Sequence, residues 1–149
     1  MTINNDRDFN AALGQLSRNG QRQVGARFAE SVLTLSKDVR VKNAIDAAKR
    51  IDIKDDELDA AYKAAKKASV DSFTQCGKEC DWISQAGHFV AQAALVCLEP
   101  GGNPAWDAAM HARMARTSEG IATGIGTDNA ETAVQYRILE KYLAEGNAS

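Results

Sequence analysis

The stretch Ile83-Ser-Gln-Ala-Gly-His-Phe-Val-Ala-Gln-Ala-Ala-Leu-Val-Cys-Leu98 decides the fold. Ile83, Ala86, Val90, Ala93 and Cys97 recur at steps of three and four, the spacing that places side chains on one face of an α-helix. Trp82, Phe89 and Val96 add a second apolar row. A helix that is apolar around most of its circumference is one that others surround. The spacing therefore predicts a helix over about 79–98 at the centre of a bundle. Its small residues, Ala86, Gly87, Ala93 and Ala94, let neighbours come close. Gln85, His88 and Gln92 interrupt the segment, which is too short and too polar to span a bilayer.

Working outward, Glu99-Pro-Gly-Gly-Asn103 is a turn, and Asn103 with Pro104 reads as an N-cap followed by the first helical residue. The next helix runs from Pro104 to about Ile121, with Trp106, Met110, Met114, Thr117 and Ile121 inward. After the loosening glycines Gly120, Gly124 and Gly126, Asp128 and Glu131 form a capping-box pattern for a last helix over about 129–144. That helix buries Val134, Ile138, Leu139, Tyr142 and Leu143.

On the other side, a helix begins near Asp55, with Leu58, Tyr62, Ala65, Ser69 and Phe73 inward and Gly77 ending or kinking it. Its acidic start, Asp55, Asp56, Glu57 and Asp59, and its basic middle, Lys63, Lys66 and Lys67, complement the helix dipole. Asp59 and Lys63 form an i,i+4 pair. Earlier helices are expected over 6–16, over 21–35 with Val24, Phe28 and Val32 inward, and over 39–51 with Val41, Ile45 and Ala48 inward. Gly20 separates the first two, and Ser36 and Asp38 cap the third. No segment alternates as a strand does. The expectation is an all-α, single-domain (1–149), compact bundle of six or seven antiparallel helices.

Composition agrees and excludes several functions. The chain has 149 residues, 44% apolar and 26% charged, enough for a core without disulfides or metal. A net charge of −2 and the absence of a basic run argue against nucleic-acid binding. The polar first ten residues have no signal-peptide pattern, and three cysteines without one point to reduced thiols in the cytoplasm.

Asp81, Gln85, His88 and Gln92 are the first candidate site: they step by four, three and four along one face. In a cavity, His88 would carry a proton or contact a ligand. The plainer readings are a solvent-facing row or a histidine hydrogen-bonded in the core. Asp107 with His111 makes an i,i+4 pair, read as an exposed stabilising pair before a dyad. Cys76 and Cys80 lack the further ligands that zinc needs and read as small buried hydrophobes. Arg113, Arg116 and the Gly120–Gly126 segment resemble an anion site but carry no phosphate-loop pattern. Neither Gln85 before His88 nor Ala108 before His111 supplies the Glu-x-x-His of a di-iron bundle. No catalytic residue, metal or cofactor is assigned.

Ala26-Arg-Phe-Ala-Glu-Ser-Val-Leu33, Asp38-Val-Arg40, Asn43-Ala-Ile-Asp-Ala-Ala48 and Ala86-Gly-His-Phe-Val-Ala91 together resemble the immunity proteins of bacterial polymorphic toxin systems. In those proteins an AGHAVA-like segment sits on a central helix; Phe89 here replaces an alanine. The resemblance spans about residues 21–114 and implies a non-enzymatic protein that binds and neutralises a toxin. The alternative of a different class is a small-molecule-binding bundle or an enzyme that uses His88 in an internal pocket. A homodimer built through exposed Trp106 or Tyr136 is a third reading.

Overall fold

The structure, a computed structural model, describes the backbone of residues 2–79, 81–126 and 130–146, and the side chains of these outside 76–79. Among the described residues it is all-helical. The order is α1 (Asp6–Gly14), α2 (Arg18–Glu30), a 3-10 turn (Leu33–Leu35), α3 (Val39–Lys49), α4 (Asp55–Glu79), α5 (Trp82–Leu98), α6 (Pro104–Ala122) and α7 (Glu131–Ala144). Gly20 does not break the chain: Ser17 caps α2 by accepting from the Gly20 amide at 3.1 Å, so Gly20 lies buried inside the helix. Gly77 does not stop α4, whose backbone continues to Glu79. Asp38 caps α3 as expected, accepting from the Arg40 amide at 2.9 Å. The expected start of α7 at Asp128 and Asn129 lies outside the described residues.

Two cores share the bundle. One joins α2, α3, α4, α5 and α6 around Val32, Val41, Ile45 and Val90. The other joins α1, α2, α6 and α7 around Phe9, Val24, Phe28 and Leu139. The expected faces of α2 and α3 are buried throughout: Val24, Phe28, Val32, Val41, Ile45 and Ala48. Helix α5 touches α2, α3, α4, α6 and the 3-10 turn, which gives it the central place. Only its later turns are enclosed, however. Trp82 and Ile83 in the first turn are 46% and 48% exposed.

Helix α6 departs most from expectation. Its buried face is Ala105, Ala108, Ala109, Ala112, Ala115 and Ser118. Trp106 and Met110 sit half-buried at the flank against the second core, and Met114 is exposed. The reason is steric. The most extensive helix contact is α5 against α6, and close-packed helices admit only small side chains on the line of contact. Gly25 shows the same constraint where α2 crosses the α5–α6 turn. A β-carbon there would lie 3.1 Å from Cys97 Sγ and 3.3 Å from Ala105 Cα. Two further residues leave their expected faces, with Phe73 on α4 and Val134 on α7 exposed, while Gln135 and Tyr136 are buried instead.

The first helix is held by ions as well as by Phe9. Arg113 forks onto Asp6 at 2.9 Å through both terminal nitrogens, and the Tyr136 hydroxyl donates to Asp6 at 2.7 Å. No helix among the described residues is long and apolar enough to cross a membrane.

Candidate functional site

The polar row of α5 faces α4 and divides into separate roles. Asp81 caps α5, accepting from the Ser84 amide at 2.7 Å. That backbone donor holds its carboxyl below the ordinary carboxylate range. Gln92 reaches across to α4 and donates to Ser69 Oγ at 2.9 Å. His88 Nδ1 lies 2.7 Å from Ser72 Oγ, and its Nε2 lies 3.4 Å from Gln92 Nε2. Gln85 is half-buried on the same face.

These contacts fix the histidine tautomer. Ser72 spends its one hydroxyl proton on the Ser69 carbonyl, at 2.8 Å. Its oxygen therefore accepts from His88 Nδ1–H, which leaves Nε2 as an acceptor facing the Gln92 amide nitrogen. Burial pushes the His88 pKa below its ordinary value, so the ring is neutral at pH 7. His88 and Gln92 thus form a hydrogen-bonded seam with α4, while Asp81 is an exposed cap on its own helix.

His88 also borders a groove. The groove lies between the 3-10 turn with the start of α3, the later part of α4 and the start of α5, with a volume of about 480 Å³. Ser36, Arg40, Asp71, Ser72, Ile83 and His88 line it; Asp81, Gln85 and Gln92 do not. Arg40 spans it, with Nη2 2.7 Å from Asp38 and Nη1 2.9 Å from Asp71. The Arg40 guanidinium holds both carboxyls below their usual range, and they in turn raise the arginine's. All three members of this bridge are engaged by side chains of the chain itself, as are both ring nitrogens of His88.

The second histidine is closer to the first than its position in the chain suggests. A row of rings runs Phe73, His88, Phe89, His111, with centroid separations of 5.7, 6.1 and 6.3 Å. His111 Nδ1 is buried and has no hydrogen-bond partner among the described residues. Burial lowers its pKa first; Asp107 opposes that shift and His88 adds to it. Asp107 and His111 make no hydrogen bond or ion pair among the described contacts, so the sequence pair is electrostatic only.

The other candidates resolve into structure. Arg113 Nε donates to Gln135 Oε1 at 2.8 Å besides holding Asp6. Arg116 bonds Glu119 at 2.9 Å, the Ser31 carbonyl at 3.0 Å and Glu131 at 3.4 Å, while Ser31 Oγ donates to Glu131. The two arginines tie α1, α2, α6 and α7 together in place of an external anion. Cys76 and Cys80 lie outside the described side chains. Cys97 is buried, its thiol donates to the Ala93 carbonyl at 3.2 Å, and burial pushes its pKa up to about 12. No group of three His, Cys, Asp or Glu among the described residues is placed to hold a metal ion.

The buried Arg22 was not anticipated. Its Nε donates to the Ala48 carbonyl at 3.1 Å and its Nη2 to the Arg50 carbonyl at 2.6 Å, closing the C-terminal end of α3. A polar residue two before Val24 carries no sequence signal for that role.

No family model, curated protein or solved structure matches this chain.

Proposed function

We propose that this chain is a non-catalytic binding protein of the bacterial cytoplasm whose partner is another protein, which docks at the groove beside α5. The observation that carries the reading is the first turn of α5. Trp82 and Ile83 stand about half exposed there, on a helix that is otherwise the bundle's centre, and Ile83 lines the groove. Exposed aromatic and aliphatic side chains beside a concave surface are what protein interfaces use as anchors. The polar groups behind them are engaged with one another, which suits recognition better than chemistry. Toxin neutralisation is the sharpest form of this reading and is supported by the family resemblance in the sequence.

The test places a photo-crosslinking residue at Ile83, and in a second sample at Thr132 on α7, in the source cell. One protein is expected to be captured from position 83 and not from 132, with the product lost on Arg40→Glu. For the immunity form, the captured protein should arrest growth when expressed alone and cease to when this chain is co-expressed. Equal capture at both positions, or none at 83, sinks the reading.

A second reading has its own observation. The groove's volume, about 480 Å³, falls within the range of small-molecule sites, roughly 300–1,000 Å³, and His88 forms part of its wall. A compound that perturbs the ring resonances of His88 and leaves those of His111 unchanged would favour it. The protein-partner reading expects no such compound among small metabolites.

A further inference from the structure

We propose that the outer ridge of α4 is a self-complementary surface on which a second copy of this chain docks antiparallel to the first. Along α4 the exposed side chains run Asp55, Asp56, Asp59, then Lys63, Lys66, Lys67, then Val70 and Phe73. At 3.6 residues per turn these positions share about a third of the helix circumference. They lie away from Ala65, Ala68 and Ser69, which face the core. Val70 and Phe73 are 55% and 66% exposed, more than a stability role requires of either.

The order of charge decides the orientation. Turned end for end about an axis level with Ala61, a second α4 sets its lysines against the first copy's aspartates. Asp55 then meets Lys67, Asp56 meets Lys66 and Asp59 meets Lys63, and each pairing occurs twice because the contact is isologous. A parallel pairing in register would put lysine against lysine, so it is disfavoured by the same charges. Beyond the charged centre, Val70 and Phe73 of each copy extend toward the turn ahead of the other α4. Ile51, in that turn, is 76% exposed.

Within one copy these charges are held by short contacts on the helix itself: Lys66 lies 5.9 Å over the Tyr62 ring, and the other lysines pair with carboxylates. Lys63 lies 3.0 Å from Asp59 and Lys67 lies 3.6 Å from Asp71, all four side chains largely in water. Such pairs exchange partners at little cost. The surface is distinct from Trp106 and Tyr136, the residues the sequence offered for a dimer. Tyr136 is buried and bonded to Asp6, and Trp106 packs on the second core. A single, mostly charged helix pair is smaller than a permanent interface, so the association is weak and salt-sensitive, with a Kd of order 10–500 µM at low salt.

The test uses the intact wild-type chain, mixed as equal parts of 14N- and 15N-labelled protein, with zero-length carboxylate–amine crosslinking and sedimentation equilibrium. Asp55–Lys67 and Asp56–Lys66 products of mixed isotope are expected. The twelve and ten residues between these partners span about 18 and 15 Å of one helix, out of zero-length reach within a single copy. Association should weaken about tenfold or more between 0.05 and 0.5 M salt. The variant Asp55→Lys/Asp56→Lys/Asp59→Lys and the variant Lys63→Glu/Lys66→Glu/Lys67→Glu should each be monomeric, yet pair with each other when mixed. Should lysines at the start of α4 prevent folding, the wild-type crosslinks decide alone. A monomer throughout, up to about 1 mM at low salt, or a dimer whose crosslinks avoid α4, overturns the proposal.

Discussion

Replacing Arg22 by methionine tests whether a single buried cation holds the end of α3. Arg22 is 7% exposed and donates to the carbonyls of Ala48 and Arg50 and to Asn19 Oδ1. Methionine keeps the apolar stem and removes all three bonds. The Asn19 and Arg50 partners are at the surface, where water replaces the lost donor. The Ala48 residue is fully buried, so its carbonyl is the costly orphan, worth about 1–3 kcal/mol. The bond to the Arg50 carbonyl, from a charged donor, adds about 1 kcal/mol after hydration. Opposing both is relief from burying the guanidinium, whose pKa burial lowers. The net loss for Arg22→Met is about 2–3 kcal/mol, a fall in Tm of roughly 5–10 °C for a chain of this length. Arg22→Lys retains a charge that reaches one carbonyl and should lose about half as much. Urea denaturation followed by circular dichroism measures both. A methionine variant within about 0.5 kcal/mol of wild type, or a lysine variant less stable than the methionine one, would refute the capping argument.

Other outcomes follow from the packing and the titrating groups. Ala112→Leu on the buried seam of α6 should cost about 1–3 kcal/mol by overpacking, while Met114→Ala on its exposed side stays within about 0.5 kcal/mol, both read by urea denaturation. His88 and His111 both have lowered pKa values, so the unfolded chain takes up protons first as pH falls below about 6.5. Stability should then decline by up to about 1.4 kcal/mol per pH unit per histidine, and His88→Gln/His111→Gln should flatten the pH 5–7 profile. Asp6 is held below its ordinary value of 3.8 first by the Arg113 hydrogen bond, so its contribution is present above that pH and lost as pH falls through the lower folded value. At neutral pH, Asp6→Asn should speed amide exchange in α1 and leave α3 to α5 unchanged.

The elements were legible where bulky residues alone could satisfy a stripe. Val24, Phe28 and Val32, or Val41 and Ile45, leave one sensible inward face, and those faces are buried. Helix α6 was misread because its sequence offers two faces. Weighing side chains by size favours Trp106, Met110 and Met114, whereas the contact with α5 favours the smallest residues. That preference depends on how closely the other helix approaches, and periodicity within one segment does not carry it. The polar row of α5 was legible as a row. Its partners, Ser69 and Ser72, were not, because serine on a helix gives no sign of which distant residue it meets. Arg113 and Arg116 stood out as a pair near a glycine-rich segment, but the carboxylates that occupy them come from as far away as Asp6.

Three of the apolar residues that failed to turn inward, Phe73, Trp82 and Ile83, fall near one another along the chain, late in α4 and at the start of α5. On α6 the large residues were displaced from the buried face by smaller ones, and on α7 Gln135 and Tyr136 took the place of Val134, so the core stays filled. At the end of α4 and the start of α5 no such exchange is seen among the described residues. The Phe73 ring lies tilted 5.7 Å from that of His88, and Ile83 lines the groove. Chains keep local rules except where something other than the fold requires the departure. The groove and the α4 ridge meet at Asp71, whose carboxylate takes Arg40 on the groove side and Lys67 on the ridge side. A second copy that drew Lys67 toward its own Asp55 would leave Arg40 the sole cation on Asp71 and tighten the groove wall. If both proposals hold, partner binding and self-association would share this one carboxylate, and Asp71→Asn should uncouple them.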